Sequence, residues 1–176
     1  MKDIPVWALT FSYWLHMLGT VLWVGGMVTA NWLVGPPAWK ILDPVTYRSL
    51  MGSIQRRLFN LGWFSLLLLG GTGLMQLAAN PHYSGFLVIT NLWAVAILTK
   101  HLAYGVMVVI TAYLTWGLNP ALNRAVLVHE KTEDPARREL AVRLMQALQR
   151  RETFLLRTNL ALGVIILGLT ALARSA

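Results

Sequence analysis

The stretch from Asn91 to Leu118 limits this chain more than any other. It is almost wholly apolar and long enough to cross a bilayer as a helix, yet Lys100 and His101 lie in its middle. Ionisable groups at that depth are costly and mark a functional site by default. Three more apolar stretches accompany it, at about 6–34, 61–79 and 158–173, each near or above the roughly 20 residues of a spanning helix. Only 12% of the 176 residues are charged, against roughly a quarter in soluble domains. The expected fold is therefore all-α: a polytopic membrane four-helix bundle forming one transmembrane domain over residues 1–176. The first stretch is too long for a signal peptide and lacks a clear small-residue cleavage site.

Charge sets the expected topology. Lys40, Arg48, Arg56 and Arg57 follow the first stretch, and Arg124, Lys131, Arg137, Arg138, Arg143, Arg150, Arg151 and Arg157 follow the third. The loop between the second and third stretches has neither Lys nor Arg, and the ends hold only Lys2 and Arg174. The positive-inside rule makes both basic linkers cytoplasmic and places both termini outside. The net charge of +8 then reports membrane orientation and an expected partner, the lipid bilayer, with no nucleic acid implied. Trp7 and Trp93 suit the outer interface, and Trp32, Trp39, Trp63 and Trp116 the inner one.

The linkers resemble each other. The first stretch leaves through Gly35-Pro36-Pro37 and the third through Gly117-Leu118-Asn119-Pro120; each linker then reaches an Asp-Pro pair, Asp43-Pro44 and Asp134-Pro135. Asp at an N-cap with Pro in the first turn starts a helix. Amphipathic lead-ins over 44–60 and 135–157 are expected. Their apolar faces would be Tyr47, Leu50, Met51, Ile54 and Leu58, and Leu140, Leu144, Ala147 and Leu148, with arginines opposite. Both pass a Gln-Arg-Arg triplet, 55–57 and 149–151, before the membrane. One reading is two parallel helix-hairpin repeats; the other is that four spans with positive-inside linkers look alike in any case. The arginine face of 136–157 suits either a partner or anionic lipid.

Of four histidines, His82 and His129 fall in polar segments and read as surface residues. His16 lies ten residues after Val6, and His101 ten after Asn91. At 1.5 Å per residue each sits roughly 15 Å into its span. Matched depth suits two axial ligands to one metal, since neutral imidazole is a common transition-metal ligand. Gly19, Gly25, Gly26 and Gly105 could give a macrocycle room. The bland reading is two interior histidines bonded to neighbours such as Ser12, Thr20 or Thr111. No acid lies within a span, so Lys100 is expected to pair with an anion the chain does not contain, such as a haem propionate, or to snorkel toward headgroups. The methionines, Met17 and Met107 included, read as core filling, although thioethers also suit copper(I). Cysteine is absent, which excludes disulfides, iron–sulfur clusters and thiolate sites. No nucleotide loop, nucleophile triad or paired carboxylate appears, so hydrolysis is unsupported.

His16, Trp23 seven residues on, Gly25-Gly26, a basic linker, a second span with Gly70-Gly71-Thr72-Gly73 and a third span with a central lysine together resemble the CopD/HemJ-type membrane proteins. The resemblance covers nearly the whole chain. It implies a helical bundle of the bacterial cytoplasmic (inner) membrane that binds haem b or copper, with His16, Trp23 and Lys100 on matching motif positions. HemJ-type members oxidise protoporphyrinogen; CopD-type members serve copper uptake or resistance. The chain departs from the HemJ pattern, with Leu98 two residues before the lysine and Thr111 further on where that pattern has histidines. His101 instead follows the lysine directly.

The resulting expectation is a haem-b protein of electron transfer with His16 and His101 as ligands. Around them stand Lys100, Gly19, Trp23, Gly26 and Gly105, and quinone or a larger membrane redox complex is the exchange partner. A CopD-like copper protein, a HemJ-like oxidase and a structural subunit without cofactor stand beside it, so enzymatic activity is open.

Overall fold

The computed structural model describes residues 4–81, 83, 85 and 92–175. His82 and the site of Asn91 fall outside them. The fold is all-α, with no strand among the described residues. The elements are α1 (Val6–Val28), a π-helical segment π1 (Thr29–Val34), α2 (Gly35–Ile41), α3 (Pro44–Ala78), α4 (Leu92–Ala112), a second π-helical segment π2 (Tyr113–Leu118), α5 (Asn119–Lys131) and α6 (Pro135–Ser175). They make four continuous helical rods, each long and apolar enough to cross a membrane: Val6–Ile41, Pro44–Ala78, Leu92–Lys131 and Pro135–Ser175. The 41 residues of α6 extend about 60 Å, twice the ~30 Å hydrocarbon thickness. Lead-in and span are thus one helix in α3 and in α6.

The Asp-Pro starts fold as their chemistry requires. Asp43 Oδ1 accepts the amides of Val45 and Thr46 at 3.0 and 3.1 Å, and Asp134 Oδ1 accepts that of Ala136 at 2.9 Å. These bonds satisfy amides that a helix start leaves unpaired. The Asp43 carboxyl is held below its usual range, first by the Thr46 side chain and then by backbone amides.

The π segments mark where each rod meets its proline. A proline ring clashes with the carbonyl four residues earlier and offers no N–H. Those carbonyls belong to Trp32 before Pro36 and to Trp116 before Pro120. The chain widens by one residue instead. Gly35 N–H bonds to Ala30 O, and Asn119 N–H to Leu114 O, each reaching back five residues. A Cβ on Gly35 would stand 2.7 Å from the Ala30 oxygen, so this joint requires glycine. Both tryptophans are exposed. The order α, π, α, long α therefore occurs twice, with Trp and Pro in register and the Asp-Pro pair reached after a shorter α2 and a longer α5, which gives the linker resemblance a structural counterpart.

The chain divides into two compact units. Unit 1 comprises residues 1–25, 61–108 and 161–176, and unit 2 comprises 26–60 and 109–160. Unit 2 has an apolar core of Phe59, Leu114, Leu118, Leu122 and Leu156. It also has an interior that the apolar pattern did not indicate. On α3 the buried line is Tyr47, Arg48, Met51, Gln55 and Phe59, while Leu50 is exposed. On α6 it is Ala141, Met145, Gln149, Glu152 and Leu156, while Leu140 and Leu144 face out. The α6 face is rotated by about one residue from the expected one, while α3 keeps Tyr47 and Met51 and buries Arg48, Gln55 and Phe59 beside them. The cause is polar: Arg48 and Glu152, 2% and 4% exposed, form an ion pair at 3.4 Å that turns these helices inward. Trp93, expected at an interface, is buried in unit 1.

Candidate cofactor site in the first unit

His16 lies mid-way along α1, with its ring against α3. Its Nδ1 is 2.8 Å from Thr72 Oγ1, and a Cβ on Gly73 would stand 3.5 Å from its Cε1. The Thr72 hydroxyl already donates to Leu68 O at 2.6 Å, so toward His16 it accepts. Nδ1 is then the protonated nitrogen, and Nε2 carries the lone pair. Neighbouring bonds hold the same pair of helices: Ser12 Oγ donates to Thr72 O at 3.3 Å, and Gln76 Nε2 donates to Ser12 O at 3.3 Å. Of the neighbours considered from sequence, Thr20 donates back to His16 O, and Thr111 accepts from Asn159 in unit 2. Thr72 is the partner that sequence reasoning missed. Its side chain is four residues before Gln76 and four after Leu68, a spacing that puts all three on one face of α3.

His101 lies on α4. Its Nδ1 is 2.7 Å from the carbonyl of Ile97. A carbonyl only accepts, so Nδ1 of His101 is protonated as well and Nε2 again bears the lone pair. In metal-ligating histidines one ring N–H goes to an oxygen acceptor, which fixes the tautomer and ring orientation and leaves the other nitrogen to coordinate. Both imidazoles satisfy that condition. The donor set fits a bis-imidazole centre in this respect.

Lys100 is half-buried. Among the described residues it has no ion pair. No three His, Asp or Glu side chains converge as a metal site among those residues. Tyr104, one turn beyond Lys100, fixes the height of α4 against α3. Its hydroxyl donates to Leu66 O at 2.8 Å and crosses Gly70, where a Cβ would stand 2.7 Å from the Tyr104 oxygen. The glycine here admits a hydroxyl that registers the two helices.

The remaining expected site residues fall as follows. Gly19 is buried, and a Cβ there would be 3.2 Å from Leu69, so its surface is occupied by the approach of α3. Trp23 is buried in unit 1, with Gly62 and Gly163 against its ring and no hydrogen-bond partner for Nε1 among the described residues. Gly25 and Gly105 have open space where a Cβ would go. Gly26 belongs to unit 2, with Leu58 3.4 Å from its Cβ position. Met17, beside His16, is exposed.

Unit 2 holds a second polar constellation, likewise unread from sequence. Arg48 Nη1 donates to Gln55 Oε1 at 3.2 Å and to Glu152 at 3.4 Å. Its Nη2 donates to Asn119 and, at 3.1 Å, to Asn123. One guanidinium thereby joins α3, α5 and α6 at the residue where α5 begins after π2. The side-chain atoms of Gln149, which is 3% exposed, have no partner among the described residues.

Compared with protein-family models, curated proteins and solved structures, the chain matches none.

Proposed function

We propose that this chain is a haem-b-binding integral membrane protein of electron transfer, of the CopD/HemJ type, with His16 and His101 as the axial ligands. The observation that carries this reading is the shared state of the two imidazoles. Each has its Nδ1 hydrogen-bonded to an oxygen within unit 1, which makes Nε2 the nitrogen that would coordinate. A haem held by two imidazoles supplies one-electron chemistry and leaves no coordination position open to substrate.

The residues then have separate tasks. Thr72 and the Ile97 carbonyl orient the ligands. Lys100 supplies a cation for a propionate carboxylate, which explains a lysine in an apolar helix with no ion pair among the described residues. Tyr104 and Gly70 hold α4, and with it Lys100 and His101, at a set height on α3. The apolar surroundings disfavour the more highly charged oxidation state and so tune the potential. Quinone or a larger membrane redox complex is the proposed exchange partner. The proposed location is the bacterial cytoplasmic membrane, with both termini outside.

The test is spectroscopic. Protein purified from membranes in mild detergent should be coloured and give sharp α and β bands on dithionite reduction. His16→Ala and His101→Ala should each remove them. A colourless protein that takes up copper stoichiometrically would favour the copper-protein reading. Rescue of a strain lacking protoporphyrinogen oxidase would favour the oxidase.

A further inference from the structure

The two Gln-Arg-Arg triplets are brought together in unit 2. Gln55 bonds to both Arg48 and Glu152, so α3 and α6 touch at residues 55 and 152. That contact brings 55–57 and 149–151 to within about two turns of one another along the two helices. Each glutamine is buried, and Arg56, Arg57, Arg150 and Arg151 are all exposed. Among the described residues none of the four has an ion pair. Arg143 and Arg137 are paired with Glu139 and Asp134, and the carboxylate nearest the triplets, Glu152, is taken by Arg48.

The surroundings of these arginines are apolar in a particular way. Phe154, 68% exposed, follows one pair; Leu61 and Phe64, also exposed, follow the other. From there α3 continues into its apolar span, and α6 does so beyond one further exposed arginine, Arg157. Before the triplet on α6, Leu140 and Leu144 are exposed among arginines. Exposed aromatic and aliphatic side chains alternating with guanidinium groups, at the seam where a charged helix becomes apolar, match the boundary between acyl chains and phosphodiesters.

We propose that the paired triplets form a collar that binds the headgroups of anionic phospholipids. Each guanidinium presents a planar fork of donors that suits phosphate oxygens bidentately. Four of them flanking one helix–helix contact offer room for two phosphates. Gln55 and the Arg48–Glu152 pair beneath hold the two helices in register, so the collar is built into the fold. The site is independent of the cofactor reading.

The experiment uses the full-length protein in detergent, titrated with phosphatidylglycerol, phosphatidylcholine or inorganic phosphate. Retained lipid is read by native mass spectrometry and the thermal midpoint by scanning fluorimetry. Phosphatidylglycerol should stay bound and raise the midpoint by several degrees, while phosphatidylcholine and inorganic phosphate should not. Replacing Arg56, Arg57, Arg150 and Arg151 by Gln should weaken phosphatidylglycerol retention at least tenfold. The pairwise variants Arg56→Gln/Arg57→Gln and Arg150→Gln/Arg151→Gln should each lose part of it, and they serve if the fourfold variant does not fold. Arg137→Gln/Arg138→Gln should behave as wild type. Unchanged retention in the triplet variants would overturn the proposal. So would equal loss in the Arg137/Arg138 control, which would mean diffuse charge alone, or equal protection by inorganic phosphate.

Discussion

Arg48 and Glu152, 104 residues apart in the chain, lie 3.4 Å apart inside unit 2, and almost no surface of either is exposed. Two buried charges are tolerated only when paired and further hydrogen-bonded. Gln55, Asn119 and Asn123 supply the extra bonds. Removing one partner strands the other. Arg48→Leu and Glu152→Leu should each destabilise the protein by about 3 kcal/mol or more. The double variant should recover much of that loss, because neither charge is left alone. Thermal denaturation of the four proteins in one detergent measures the coupling, and simple additivity would show that the pair does not act as a unit.

Gly70 and Tyr104 make a second test, this one of helix register. Gly70→Ala places a methyl 2.7 Å from a hydroxyl that is already hydrogen-bonded. Overpacking of this kind costs about 1–3 kcal/mol, and α4 must shift to relieve it. Tyr104→Phe only removes the bond to Leu66 O and should cost about 1 kcal/mol. If Gly70→Ala proves as mild as Tyr104→Phe, the crossing is looser than described.

Thr72→Val keeps the shape of the side chain and removes the acceptor for His16 Nδ1–H. On the ligand reading, haem retention should fall roughly tenfold to a hundredfold while the fold persists. Retention measured by titration into the apo-protein, with circular dichroism as a fold control, checks this. Equal retention would mean that the threonine does not orient the ligand.

Asp43 yields a pH prediction. Its carboxyl is held below the usual range by the Thr46 side chain and the amides that open α3. A depressed carboxylate stabilises the folded state above its unfolded pKa. That contribution disappears as pH falls through the lower, folded pKa. The thermal midpoint should therefore drop on acidification below about pH 4. Asp43→Asn, which keeps a capping oxygen without the charge, should flatten that part of the profile. Identical profiles would remove Asp43 from the acid response.

These residues also show what the chain discloses by itself. The four rods and both Asp-Pro starts were legible, because hydropathy over twenty residues and a capping side chain are local signals. The linker resemblance was legible too, and the two π joints, whose Trp32 and Trp116 carbonyls would meet a proline four residues on, give it physical content. The buried faces of α3 and α6 were not legible. Apolar spacing grouped Leu50, Leu140 and Leu144 on the apolar faces, but in a membrane protein leucine is as much at ease facing lipid as facing the core. A long-range ion pair decides which way the helix turns, and nothing in the spacing around Arg48 announces Glu152. At the candidate site the histidines and Lys100 stood out by their cost in an apolar helix. Thr72 did not, since a threonine within a glycine-rich run looks the same whether it packs or orients a ligand.

Whether His16 and His101 hold a haem is decided by the reduced-minus-oxidised visible spectrum of the purified protein. Sharp α and β bands are expected in the wild-type protein and should vanish in both His16→Ala and His101→Ala, with helicity unchanged. A colourless wild-type protein, or bands that survive either substitution, would contradict the haem assignment.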